Sequence, residues 1–176
     1  MLTPASTLNS AILALAPSDD KGAAITAFVA VIAEYMNQVQ GGSDGTVGIL
    51  TVSQSAMYNV FITQAPVADS SWINTFAEAW YQGVAQGTIT PGTVTNSAWS
   101  GGSTTDTETQ STGMAVIANL ATAQALLTSE LAAATYGNNP ALPFATAVRD
   151  ATLACTFTCI GLDSSSNPQS VQISAE

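Results

Sequence analysis

Apolar residues recur every three to four positions through several stretches of this chain, and each such stretch reads as one side of a helix. The clearest is Ile25, Phe28, Val29, Ile32, Tyr35, Met36 and Val39, which follows the helix start Ser18-Asp19-Asp20-Lys21 and runs out at Gly41-Gly42. A shorter helix is expected from Thr3 to Ala16. Thr3 is placed to cap it, Pro4 suits a first helical position, and Leu8, Ile12 and Leu15 form its stripe. Ser53 to Ile62 carries Met57, Tyr58, Phe61 and Ile62, again at helical spacing. Asp69-Ser70-Ser71 offers a cap for a helix through about Gln86, with Trp72, Ile73, Phe76, Trp80 and Val84 on one side and Gly83 weakening its last turn. A further helix is expected from Ser111 to about Thr135, with Ile117, Leu120, Leu127 and Leu131 inward. The last begins at Pro140 or Ala141, with Phe144, Val148, Ala151, Cys155 and Phe157 as its buried side and Gly161 as a Schellman ending.

Other segments break the period. Ile49 to Val52 fits a short strand or the entry to a helix, and the β-branched run Thr156 to Ile160 fits a strand as well as a helix. Gly87 to Gly113 is rich in Thr, Ser and Gly. Its stretch Thr88-Ile89-Thr90-Pro91-Gly92-Thr93-Val94-Thr95 is nearly symmetric about Pro-Gly. A type II turn suits Pro-Gly, but such turns match strand twist poorly in a two-residue hairpin. The segment therefore reads as an extended arm with a short β-ribbon as an option, and Trp99 is its single large anchor. From Asp163 on, the chain reads as a polar tail with a brief alternation at Val171 and Ile173. The expected fold is mainly α: a small bundle of about five helices with a long Thr/Gly-rich arm. Residues 1–162 form one domain including the arm at about 87–113, and residues 163–176 form the tail.

Charge narrows the function. The 176 residues hold two Lys and Arg (Lys21 and Arg149), twelve Asp and Glu, no His, and a formal net charge of -10. Two cations cannot build a basic patch, so direct nucleic-acid binding is not expected. No apolar stretch approaches the ~20 residues of a membrane span, and no basic amphipathic face exists to seek anionic lipid. Met1-Leu2-Thr3-Pro4 lacks a basic n-region, so no secretory signal is expected. Charged residues make up only 8% of the chain. A surface so weakly charged resists association poorly and is better suited to being covered by neighbours.

Reactive constellations are scarce. A Ser or Thr nucleophile would have only Lys21 or a carboxylate as its base, and no GxSxG, SxxK or HExxH pattern occurs. Glu34, Glu78, Glu130 and Asp150 stand apart in sequence and read as solvated positions on helices. A hydrolase pairing Glu78 with a second carboxylate is the enzymatic alternative. Cys155 and Cys159 lie one turn apart if helical and about 13 Å apart if extended. They read as buried thiols of a helix, with an intermolecular disulfide as a minor option. No third soft ligand exists for a metal. Asp163-Ser164-Ser165-Ser166-Asn167 is faintly like a calcium loop, but Pro168 takes the place of the required Gly and Ser174 that of the bidentate Glu. Gly41-Gly42-Ser43-Asp44-Gly45 brings an acid where a phosphate loop needs a cation.

The scarcity of Lys and Arg, the Ala/Thr/Ser/Gly-rich helices and the arm around Thr88 to Thr95 resemble structural proteins of tailed-phage virions. The opening from Met1-Leu2-Thr3 through Val39 is similar to head–tail adaptor proteins, helical bundles with a projecting tail, although those carry more charge in their first helices. The resemblance implies a non-enzymatic virion subunit at the neck or on the capsid, docking on copies of itself and on a larger ring or shell protein. It implies no cofactor, no metal, no catalytic residue and no small-molecule substrate. Ile89, Val94 and Trp99 are the expected partner-facing residues of the arm. A free extracellular binding module is the further alternative.

Overall fold

Helices form where the apolar stripes run: α1 (Ala5–Leu13), α2 (Lys21–Met36), α3 (Gln54–Thr63), α4 (Ser71–Ala85), α5 (Leu120–Ala133) and α6 (Ala141–Leu153). The structure, a computed structural model, describes residues 2–39, 48–64, 71–91, 93–95, 109–111, 114–117, 119–162 and 168–176. The protein is mainly helical, a small bundle. Its caps follow backbone chemistry. Asp20 accepts from the Ala23 N–H at 2.9 Å and starts α2, and Ser53 accepts from the Ala56 N–H at 3.3 Å and starts α3. Thr3 does not cap α1. Pro4 holds the N-cap position, and the Thr3 hydroxyl donates instead to Gln38 Oε1 at 2.8 Å.

Short antiparallel ladders complete the fold. β1 (Gly48–Thr51) pairs with β2 (Thr88–Pro91) in the register Leu50↔Ile89, and β3 (Thr93–Thr95) pairs with β4 (Thr109–Ser111). β5 (Met114–Ile117), β6 (Thr156–Leu162) and β7 (Pro168–Ser174) form a three-stranded sheet with β6 central, in which Phe157 lies opposite both Ile117 and Ile173.

Consecutive helices alternate in direction. Thr3, just before α1, meets Tyr35 and Gln38 at the end of α2, since the Tyr35 hydroxyl donates to the Thr3 carbonyl at 2.7 Å. The Ser53 N–H at the start of α3 donates to the Gly83 carbonyl near the end of α4 at 2.8 Å, and Asn119, just before α5, donates to the carbonyl of Ala154, just past α6. So α2, α4 and α6 end at one pole, where β1, β2 and β6 follow them and β5 precedes α5. The starts of α4 and α6 and the ends of α1 and α3 gather at the other pole. The core runs between the poles through Ile32, Met36, Met57, Trp80, Leu127, Leu131, Val148 and Phe157, all buried. Inside it the Trp80 indole N–H donates to Thr152 Oγ1 at 3.3 Å, and that hydroxyl donates to the Val148 carbonyl at 2.6 Å, so neither buried polar group is orphaned.

Several boundaries differ from those the sequence predicts. The segment expected as one helix from Ser111 to Thr135 begins as strand, and α5 starts only at Leu120. Asn119 marks the change. Its side chain donates to Ala154 O at 2.6 Å and accepts from the Thr156 N–H at 2.8 Å, tying the start of α5 to the exit of α6. The last helix stops at Leu153, and Phe157 is buried from β6, so Gly161 lies in a strand rather than at a Schellman ending. The Thr156 to Ile160 run is strand, as its β-branching allowed. Residues expected as a free polar tail include β7, whose alternation at Val171 and Ile173 is that of a paired strand. The strands before and after Gly92 do not pair with each other: β2 and β3 belong to different ladders.

Gly83 is a contact requirement, not a flaw in α4. A Cβ there would lie 2.4 Å from Met57 Cγ and 3.0 Å from Val52 Cγ1, both in buried side chains. The missing side chain lets α3 approach α4. Gly83→Ala should therefore destabilise the fold by about 1–2 kcal/mol despite the better helix propensity of alanine, since overpacking outweighs that gain. Urea unfolding monitored by circular dichroism checks it, with a lowered midpoint and unchanged slope expected.

Candidate functional site

The aromatic side chains of separate helices converge at the pole opposite the strands. Phe28 comes from the middle of α2, Phe61 from the last turn of α3, Trp72 and Phe76 from the first turns of α4, and Phe144 from the first turn of α6. Phe76 and Phe144 meet edge to face at 4.6 Å between centroids, and Phe28 stands 5.9 Å from Phe144 and 6.0 Å from Phe61. Trp72 packs at 5.8 Å on Tyr136, which follows α5. These spacings fall in the range where ring quadrupoles attract.

The rings do not close on one another. They wall a cleft of about 500 Å3, completed by Ile12, Leu13, Thr75, Pro140 and Ala141. Its volume is that of an ordinary ligand or side-chain pocket. Among the described residues, none that lines it is charged. The polar groups in its wall are the Thr75 and Tyr136 hydroxyls, and the latter donates to the Leu131 carbonyl at 2.8 Å. Burial raises the Tyr136 phenol above its ordinary value, so it stays a neutral donor. At the rim, Leu13 is 62% exposed and Tyr136 37%. The wall formed by the described residues suits a bulky uncharged apolar group and holds no charged partner for an ion.

A second depression lies between α5 and α6, lined by Glu130, Ala133, Ala134, Leu142, Pro143, Thr146, Ala147 and Asp150. It brings together Glu130 and Asp150, two of the carboxylates that stand apart in sequence. Glu130 Oε2 is buried without a hydrogen-bond partner among the described residues. Its carboxyl is pushed above the usual carboxylate range by burial first and by the Asp150 charge second. Asp150 pairs with the Arg149 guanidinium at 3.1 Å on a partly exposed surface, a contact of little net stability. Glu78 lies elsewhere, accepting from Gln82 at 2.7 Å and from Gln124 at 3.4 Å.

Of the residues predicted to face a partner, Ile89 on β2 is partly buried and packs against the core, so the domain itself takes it up. Val94 has its backbone in β3, opposite Gln110. Trp99 lies outside the described residues, as do the loops at Gly41-Gly42 and Asp163 to Asn167. Cys155 is buried just beyond α6, not within it, and burial drives its thiol up to about 12, so it is protonated and unreactive at neutral pH. A buried Cys155 is in no position to bridge to another chain. The cleft itself escapes a reading by stripes, because each ring looks like core on its own helix. The available signal was positional: Phe61, Trp72 and Phe144 stand close to the connections at 64–70 and 134–140, and Tyr136 lies within the second.

No protein-family profile, curated protein or solved structure matches the chain.

Glu130 gives a pH prediction. Its folded value lies above the ordinary 4.5, so the native state holds the proton more tightly than the unfolded chain. Stability is then lost as pH rises from about the ordinary value through the raised one. Glu130→Gln should raise the thermal midpoint at pH 7, and the difference from the parent should shrink as pH falls toward 4. Thermal melts across that range read the effect, and a Gln variant less stable than the parent at pH 7 contradicts it.

Proposed function

We propose that the chain is a non-catalytic structural subunit of a larger protein assembly and works by docking on its neighbours. The assembly we infer is a tailed-phage virion, with the subunit at the neck or on the capsid. The observation that carries the docking reading is the uncharged aromatic cleft, open to solvent and rimmed by exposed Leu13. Large apolar side chains left at a rim, over a pocket of rings, are the features of a protein-binding hot spot. The virion assignment rests on composition: two cations, no histidine and 8% charged residues. A surface built from Ala, Ser, Thr and Gly is suited to burial between repeated subunits, where many weak contacts act together.

Second to this stands a carboxylate hydrolase, favoured by the shared depression of Glu130 and Asp150. Turnover of a polysaccharide that is lost in Glu130→Gln would carry that reading instead.

The docking reading makes a rim prediction. Leu13→Gln keeps a helix-forming residue at an exposed position, so folding stability should change by no more than about 0.5 kcal/mol. Incorporation into native particles should nevertheless fall about tenfold, read as copies per particle by quantitative mass spectrometry. Full incorporation of a Leu13→Gln chain, or a chain recovered only in the free fraction, contradicts the reading.

A further inference from the structure

The large apolar side chains exposed among the described residues are Leu13, Tyr136 and Leu142. Leu13 and Tyr136 rim the aromatic cleft, and Leu142 lines the depression between α5 and α6. The two openings meet at the start of α6: Pro140 and Ala141 belong to the cleft, and Leu142 and Pro143 to the depression. They are neighbouring parts of one surface, with an apolar centre and a charged margin. That is the anatomy of a protein interface.

The margin suits one cation on an aliphatic stem. The depression holds about 500 Å3, and Ala133, Ala134, Leu142, Pro143 and Ala147 make most of its lining aliphatic. Its charged groups are Glu130, from the last turn of α5, and Asp150, from the third turn of α6. Glu130 Oε2 is buried and has no hydrogen-bond partner among the described residues. Asp150 gives Oδ1 to Arg149 at 3.1 Å, but Arg149 is not part of the lining. Two carboxylates against one guanidinium leave one negative charge unanswered, and a single monovalent cation brings the set to neutrality. The raised titration of Glu130, from burial and the Asp150 charge, is what an unanswered charge produces. Calcium would need roughly six to eight oxygens, and among the described residues no group of three or more acids gathers. An alkylammonium fits better: its stem lies along the alanines and its head bonds the acids.

The cation must come from a different protein. This chain has one lysine, Lys21, and Asp19 and Asp20 precede it, so a second copy would bring two acids to an acidic site. Arg149 already pairs with Asp150. Copies that each carry a net charge of -10 repel, whereas a partner with an exposed lysine is attracted.

We propose that the depression between α5 and α6, beside the aromatic cleft, receives a lysine side chain of a different protein, with the ammonium on Glu130 and Asp150 and the alkyl stem along the alanines. The inference rests on the docking reading above and states the chemistry of the partner.

The test uses the full chain and a small probe, N-acetyl-lysine methylamide. Amide proton–nitrogen correlation NMR spectra are recorded while the probe is added to about 50 mM, since a single side chain is expected to bind with a millimolar Kd. Shifts should gather at Glu130, Ala133, Ala134, Thr146 and Ala147. The norleucine analogue keeps the stem and loses the ammonium, and it should bind at least about tenfold more weakly. Glu130→Gln and Asp150→Asn keep the shape, and each should weaken the lysine probe at least about threefold. Raising NaCl from about 20 to about 300 mM should weaken it similarly. Circular dichroism melts check that both variants fold. The proposal is overturned if the shifts lie elsewhere or spread over all the acids, if the norleucine probe binds equally, or if the variants bind lysine like the wild type. Self-association of the wild type that is lost in Lys21→Ala also overturns it, because that gives the depression to a second copy. In native particles Glu130→Gln should lower incorporation about threefold. Loss of incorporation in Leu13→Gln but not in Glu130→Gln sinks this inference alone, whereas full incorporation of Leu13→Gln sinks the docking reading beneath it.

Discussion

The contact between Phe76 and Phe144 is the constraint on which the rest of the structure turns. With ring centroids 4.6 Å apart, it binds the first turns of α4 and α6 at one pole. Phe28 and Phe61 pack on the same rings and draw in α2 and α3. A bundle of short helices has little propensity energy of its own, and most of its stability must come from such shared faces. Here the shared face does two jobs. Its inner side closes the core, and its outer side is left as the floor of the cleft.

That arrangement fixes where polar groups can go. At the strand pole, side chains substitute for backbone partners at the ends of helices. Asn37 accepts from the Val52 N–H at 2.7 Å, and Asn119 holds both Ala154 and Thr156. These contacts satisfy groups that a helix terminus leaves open. They also anchor β1 and β6 to the bundle, and thereby place the arm's root. Among the described residues the cleft wall is ring and aliphatic apart from Thr75 and the Tyr136 hydroxyl. One end of the molecule is hydrogen-bonded and the other is greasy.

Much of this was legible in the sequence. The stripe from Ile25 to Met36 marked α2, because periodicity is a local property, while the start expected at Ser18-Asp19-Asp20-Lys21 falls at its end: Asp20 is the cap itself, and no acid sits in the first turn. Misplaced boundaries arose where a long-range contact decided the outcome. Phe157 fits a helical stripe after Phe144 and Val148, yet it is buried from a strand because Ile117 and Ile173 lie beside it across the sheet. Val171 and Ile173 looked like an incidental alternation in a tail, since nothing local says that β6 is waiting to pair with them. Gly83 looked like a defect and is a contact, because only the approach of Met57 gives it meaning. The cleft was hidden for the same reason: Phe28, Phe61, Trp72 and Phe144 belong to four stripes, and no single stripe records that they meet.

The opposition of the poles is what gives the chain a direction. α4 separates the aromatic cleft from the strands by about its own length. The described strand pole spends its polar groups on internal hydrogen bonds, whereas the cleft pole leaves rings and Leu13 at the surface. The face that can take an apolar partner is therefore a face on which the strands and their clamps make no demand.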